Sequence, residues 1–132
     1  MDELIIFKLK KNKDNKKILF IIINKESLDC VKEMKEEIIK KYITIASKHD
    51  KIYVCIDTRK VTYFNPKVIW EGASDLAKHN HILVPRIKAT SILICNNFLL
   101  DTIGLVNKVI PFSSPTKFFS KNDDALKFLS ES

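Results

Sequence analysis

The chain has 132 residues, 45% of them hydrophobic and 30% charged, and a formal net charge of +7. That length suits a single domain, 1–132, with one hydrophobic core, and the composition excludes a disordered chain. The longest apolar run, residues 18–23, is strand-sized and far short of the ~20 residues that a membrane helix needs, so no membrane insertion is expected.

The start, Met1-Asp2-Glu3, is acidic, which argues against a secretory leader, and no lipidation motif is present. Cys30, Cys55 and Cys95 are widely spaced, without metal-ligand spacing. Cys55 and Cys95 lie in apolar runs and read as buried, reduced thiols of a cytoplasmic protein. Of the 23 basic residues only Arg59 and Arg86 are arginine. Arginine dominates specific phosphate forks, so nucleic-acid binding is discounted as a third reading, carried by scattered lysines. Abundant Lys, Ile and Asn with only two Gly read instead as the bias of an AT-rich coding genome, such as that of some large DNA viruses, parasites or bacteria.

Leu4 to Lys10 and Lys17 to Asn24 are β-rich runs around a polar turn, 11–16, and predict an antiparallel hairpin. Ser27 is expected to cap a first helix reaching about residue 48, with Asp29 in its first turn. Leu28, Val31, Met34, Ile38, Tyr42 and Ile45 form its apolar stripe. Lys51 to Asp57 is nearly continuous in apolar residues, as expected of a central strand covered on both faces. Asn65 and Pro66 provide a cap and a first-turn proline for a helix to about Asn80, with Val68, Ile69, Ala73, Leu76 and Ala77 inward. Pro85 breaks the connection. Ala89 to Cys95 is a second buried strand. Asn96 and Asn97 cap a helix to about Val109, with Leu99, Ile103 and Val106 inward. Thr116 to Phe119 forms a last strand, and Ser120, with Asp123 three residues on, caps a closing helix that buries Ala125, Phe128 and Leu129.

The order ββαβαβαβα gives an α/β fold: a mixed, mainly parallel β-sheet with a hairpin start and about four helices. In such sheets function gathers at the carboxyl ends of the strands, which here is the loop after Asp57.

Several residues weigh little on inspection. Asp57 reads as a cap of its own loop, because the acidic cluster of a receiver domain is missing from the ends of the first two strands. His79 and His81 have no carboxylate or thiol cluster to complete a metal site. Ser113 and Ser114 lack a nucleophile-elbow context. Gly72 and Gly104 both fall in predicted helices, so no glycine-rich phosphate loop is present. Neither a nucleophile–base pair nor paired carboxylates are evident, so no enzyme activity and no cofactor are expected.

Four segments carry a resemblance. They are Asp57 at the end of the central strand; the loop Val61-Thr62-Tyr63-Phe64-Asn65; the strand start Ile87-Lys88-Ala89-Thr90-Ser91; and the closing run from Pro115 to Leu129 with its Asp-Asp-Ala-Leu helix. Together they resemble the STAS domain, the SpoIIAA-like fold of bacterial anti-sigma-factor antagonists, and are most similar to its small stand-alone or Sec14-like forms. Antagonists of that family carry a phosphorylatable serine after the acid of this loop. Here Asn65 stands at the acid and Pro66 at the serine, so the phospho-switch is missing at that position.

The resemblance implies a protein-interaction module, regulatory or scaffolding, that docks a protein partner of unknown identity. Thr58, Arg59, Thr62, Phe64, Asn65, Lys67 and Trp70 would supply the contact surface, and self-association is left open. The runner-up is a small-ligand domain of Sec14-like type, with an apolar pocket under the second and third helices for a lipid or nucleotide.

Overall fold

The computed structural model describes residues 4–132, so the acidic start Met1-Asp2-Glu3 lies outside the described residues. Strands β1 (Ile5–Lys11) and β2 (Lys17–Ile23) pair antiparallel. Strands β4 (Ile52–Asp57), β6 (Ile87–Leu93) and β7 (Thr116–Phe119) then add in parallel, giving the order β1-β2-β4-β6-β7. The apolar run 51–57 therefore occupies the middle of the sheet. Its side chains alternate between two layers: Ile52 and Val54 on one face, Tyr53 and Cys55 on the other.

The first face is the thicker. It carries α1 (31–46), α2 (Pro66–Ala77), the short α3 (Asn80–Leu83) and α4 (Asn97–Val109). The second face is covered by α5 (Asn122–Ser130), whose Ala125 and Leu129 pack on Tyr53, Cys55, Ala89 and Leu93. The Lys16 ammonium ties α5 to the hairpin turn. It donates to the carbonyls of Leu129, Ser130 and Ser132 and lies 5.0 Å from the centre of the Tyr53 ring.

Several boundaries depart from the sequence expectation. Ser27 caps no helix. It lies in β3 (Ser27–Leu28), which pairs with β5 (Tyr63–Phe64) in a second small parallel sheet. Helix α1 starts at Val31, after Cys30, with no side-chain cap. Its middle, Met34–Ile39, is π-helical, which inserts a residue and turns the buried face. Ile39 and Ala46 are therefore buried with Met34, Ile38 and Tyr42, while Ile45 is only half-buried. The segment before Pro85 is not plain loop but contains α3, whose Leu83 is buried. Strand β6 starts two residues early, at Ile87, and ends before Cys95, which is exposed; only Cys55 is a buried thiol. Ser120 gives way to Lys121 at the start of α5, and no side chain caps that helix.

The asparagine caps are where the sequence placed two of them. Asn65 Oδ1 accepts from the Lys67 N–H at 3.0 Å, with Pro66 following it, and Asn96 Oδ1 accepts from the N–H groups of Phe98 and Leu99. Asn97 is the first helical residue of α4 and not its cap. Among the described residues no helix is long and apolar enough to cross a membrane.

Candidate functional site

The carboxyl rim of β4 is a tightly bonded turn. Asp57 accepts three bonds from Arg59: its backbone N–H at 3.0 Å, Nε at 3.0 Å and a guanidinium NH2 at 2.8 Å. Asp57 thus caps its own loop. Burial would raise its carboxyl pKa, but the Arg59 hydrogen bonds, with the Arg59 and Lys60 charges, outweigh burial and hold it below the ordinary value. Its stabilisation is therefore fully present above the ordinary carboxylate range and is lost as pH falls through the lowered value. Asp57→Asn is expected to flatten the acid limb of stability against pH. Urea midpoints at a series of pH values between neutrality and acid check it; an unchanged acid limb would show that Asp57 contributes none of it.

The seven contact residues expected at this rim are not one exposed surface. Thr58 is buried: its N–H and hydroxyl both reach the Leu93 carbonyl at 2.8 Å, which locks the turn to the end of β6. Phe64 is buried in the core and packs its ring 5.1 Å from that of Phe98. Neither is free to meet a partner. Arg59, Thr62, Asn65 and Lys67 are exposed, though Arg59 is paired with Asp57 and the Asn65 side chain caps α2. Trp70 is half-buried on α2. Two aromatic residues that the sequence reading passed over do face solvent, Tyr63 at 61% exposure and Phe98 at 63%.

The more distinctive feature lies beneath the helices. A partly open cavity of about 180 Å³ lies between α1, α2 and α4 and the sheet. Ile23, Ile56, Thr90, Ile92 and Thr116 form its sheet wall. Its helix walls are Met34, Ile38, Ile39 and Tyr42 from the π segment and following turn of α1; Ile69, Gly72, Ala73 and Leu76 from α2; and Leu99, Ile103 and Val106 from α4. The connection from Ile110 to Ser114 closes one side.

Small residues on α2 leave this space. A Cβ at Gly72 would meet Met34 Cγ at 3.0 Å and Sδ at 3.1 Å, so glycine is what lets α1 and α2 approach so closely. Adjacent Ala73 lines the cavity where a larger side chain would fill it. The pair Gly72-Ala73 marks low side-chain volume on α2, but only the packing around it shows that Met34 fills the space at Gly72 while the space at Ala73 stays open.

The wall is almost wholly apolar. Its polar atoms are a few hydroxyls and one amide, that of Asn80. The Thr90 and Ser114 hydroxyls lie 3.0 Å apart, and the Thr116 hydroxyl donates to the Ser114 carbonyl at 3.0 Å. Burial pushes the Tyr42 phenol well above its ordinary pKa, so it stays neutral and is no proton donor of consequence near neutrality. Such a pocket can hold a small molecule, and among the described residues no Asp, Glu, His, Lys or Arg lines its wall.

No family model matches the sequence, and no curated protein matches it. Among solved structures it is similar to an uncharacterized protein of the DUF3478 family from Shewanella loihica, described as having a SpoIIAA-like fold. The two are 17% identical, with a TM-score of 0.60 over 95% of this chain and 93% of that one. The order of strands, the central position of β4 and this match agree: the chain has a SpoIIAA-like fold, the fold of STAS domains.

Proposed function

We propose that the protein is a non-catalytic binding module whose ligand is a small, mostly apolar molecule held in the cavity between α1, α2, α4 and the sheet. The single observation that carries this reading is the cavity itself, about 180 Å³ in the apolar core. Interiors are normally packed with few voids larger than a water molecule, and an apolar cavity of ~150 Å³ is known to stay dry and take up benzene. The wall's lack of acids and bases supports binding over catalysis, and the lack of cationic groups removes the nucleotide half of the Sec14-like expectation.

Ala73→Phe is expected to fill the cavity and abolish uptake of toluene, with stability raised by about 0.5–2 kcal/mol. Isothermal titration with toluene and thermal unfolding measure the two effects. Undiminished toluene binding by a folded Ala73→Phe protein would place the binding site elsewhere.

A second reading keeps the STAS-like interaction module, on a surface smaller than the sequence suggested. Thr62, Lys67 and half-buried Trp70 remain available, and exposed Tyr63 and Phe98 border the same loop, Phe98 packing its ring against buried Phe64. Exposed aromatics near a polar loop resemble the anchors of protein interfaces. A protein partner, a second copy of this chain included, would lose affinity when Tyr63 and Phe98 are both replaced by serine. Sedimentation velocity of the parent and the double variant reads self-association directly.

A further inference from the structure

The cavity's chemistry narrows its ligand further, on the reading that the cavity is a binding site. Among the described residues no Lys, Arg, His, Asp or Glu lines it. An ionised carboxylate or phosphate inside would lack a counter-charge in an apolar surround, a costly arrangement. Of the polar residues on the wall, Thr90, Ser113, Ser114 and Thr116 gather where β6 and β7 meet the loop before β7, while Tyr42, Thr58 and Asn80 belong to α1, the turn after β4 and α3. Thr90 Oγ1 and Ser114 Oγ, 3.0 Å apart, share one hydrogen bond, in which one hydroxyl donates and the other accepts. The accepting hydroxyl keeps its own proton, so the pair offers one unused O–H donor together with acceptor lone pairs. The Thr116 hydroxyl is committed to the Ser114 carbonyl, which fixes this loop against the strand. Thr58, also on the wall, has its hydroxyl committed to Leu93.

We infer that the cavity selects an uncharged molecule with one oxygen-bearing end, a short-chain or aromatic alcohol or carbonyl compound, whose oxygen bonds to the Thr90–Ser114 hydroxyl pair. Size agrees with this class. Scaling from benzene in a cavity of ~150 Å³, the space encloses about seven heavy atoms. A longer tail has to extend through the open part of the pocket.

The test titrates the wild-type protein with 1-hexanol, hexanoate and toluene at pH 7.5, following the NMR methyl signals of Ile92, Leu99, Ile103 and Val106. The alcohol is expected to bind at least about tenfold more tightly than its carboxylate counterpart. The double variant Thr90→Val, Ser114→Ala is expected to bind 1-hexanol about threefold to tenfold more weakly, with toluene unchanged. Equal affinity for hexanol and hexanoate, with toluene bound, overturns the charge selection while the binding reading stands. Toluene and hexanol both leaving these methyls unperturbed overturns the binding reading itself. Hexanol binding that survives the double variant undiminished overturns the role of the hydroxyl pair alone.

Discussion

Leu99→Ala is expected to destabilise the protein by about 2–5 kcal/mol, the range for removing a buried leucine whose site cannot fully collapse. Leu99 is fully buried on the inner face of α4 and lies against the core cluster that joins β2, β6, α1 and α2. It also lines the cavity, so its removal enlarges a space that already exists. Met34 and Ile38 of α1 line the same space, so the deletion adds to a void that the surrounding side chains already leave unfilled. The upper part of the range is therefore the expectation, read from urea midpoints at constant m-value. The same enlargement predicts a gain of function in parallel: saturating toluene should recover part of the lost stability through linkage, and more of it than toluene adds to the parent. A loss below about 1 kcal/mol would mean that the cavity wall is soft and closes over the deletion.

Val54→Asp is expected to abolish folding. Val54 has no solvent exposure and sits in β4 at the centre of the five strands, under the α1 layer. It shares its core cluster with Leu19, Ile21, Ile52, Leu83 and Ile87, so the new carboxylate would be buried in an apolar surround, a change that typically exceeds ~4 kcal/mol. The matched control is Val109→Asp at the exposed end of α4, expected to stay within about 0.5 kcal/mol of the parent. Far-ultraviolet circular dichroism and soluble yield separate the two. A folded Val54→Asp protein would remove β4 from the centre of the sheet.

Most of the fold was legible because each major element leaves a periodic or chemical trace. The apolar run 52–56 has the composition of a doubly covered strand, and β4 is one. Asn65-Pro66 and Asn96 announce helix starts by side-chain chemistry, and both asparagines accept the expected backbone bonds. What escaped has no such trace. The two-residue strands β3 and β5 are too short for alternation to register, so Ser27 read as a cap. The π segment of α1 changes the residues per turn without changing composition, so Ile45 was favoured over Ile39 and Ala46.

The candidate site was less legible for a related reason. Thr58 and Phe64 belong to a connection where no period separates inside from outside, and only tertiary bonds to Leu93 and Phe98 decide that they are buried. The cavity is a difference between the space that the helices span and the side-chain volume that fills it. Periodicity placed Ala73 inward, but no pattern in one sequence tells that Met34 fills the space at Gly72 while the space at Ala73 stays open.

Crystals pressurised with xenon give the most direct measurement on the chamber under α2 and α4. Anomalous density enclosed by Ile92, Leu99 and Ile103 is the predicted result, because xenon enters apolar space that stays dry. Xenon bound only at the molecular surface, with those three side chains closed on one another, would contradict the account.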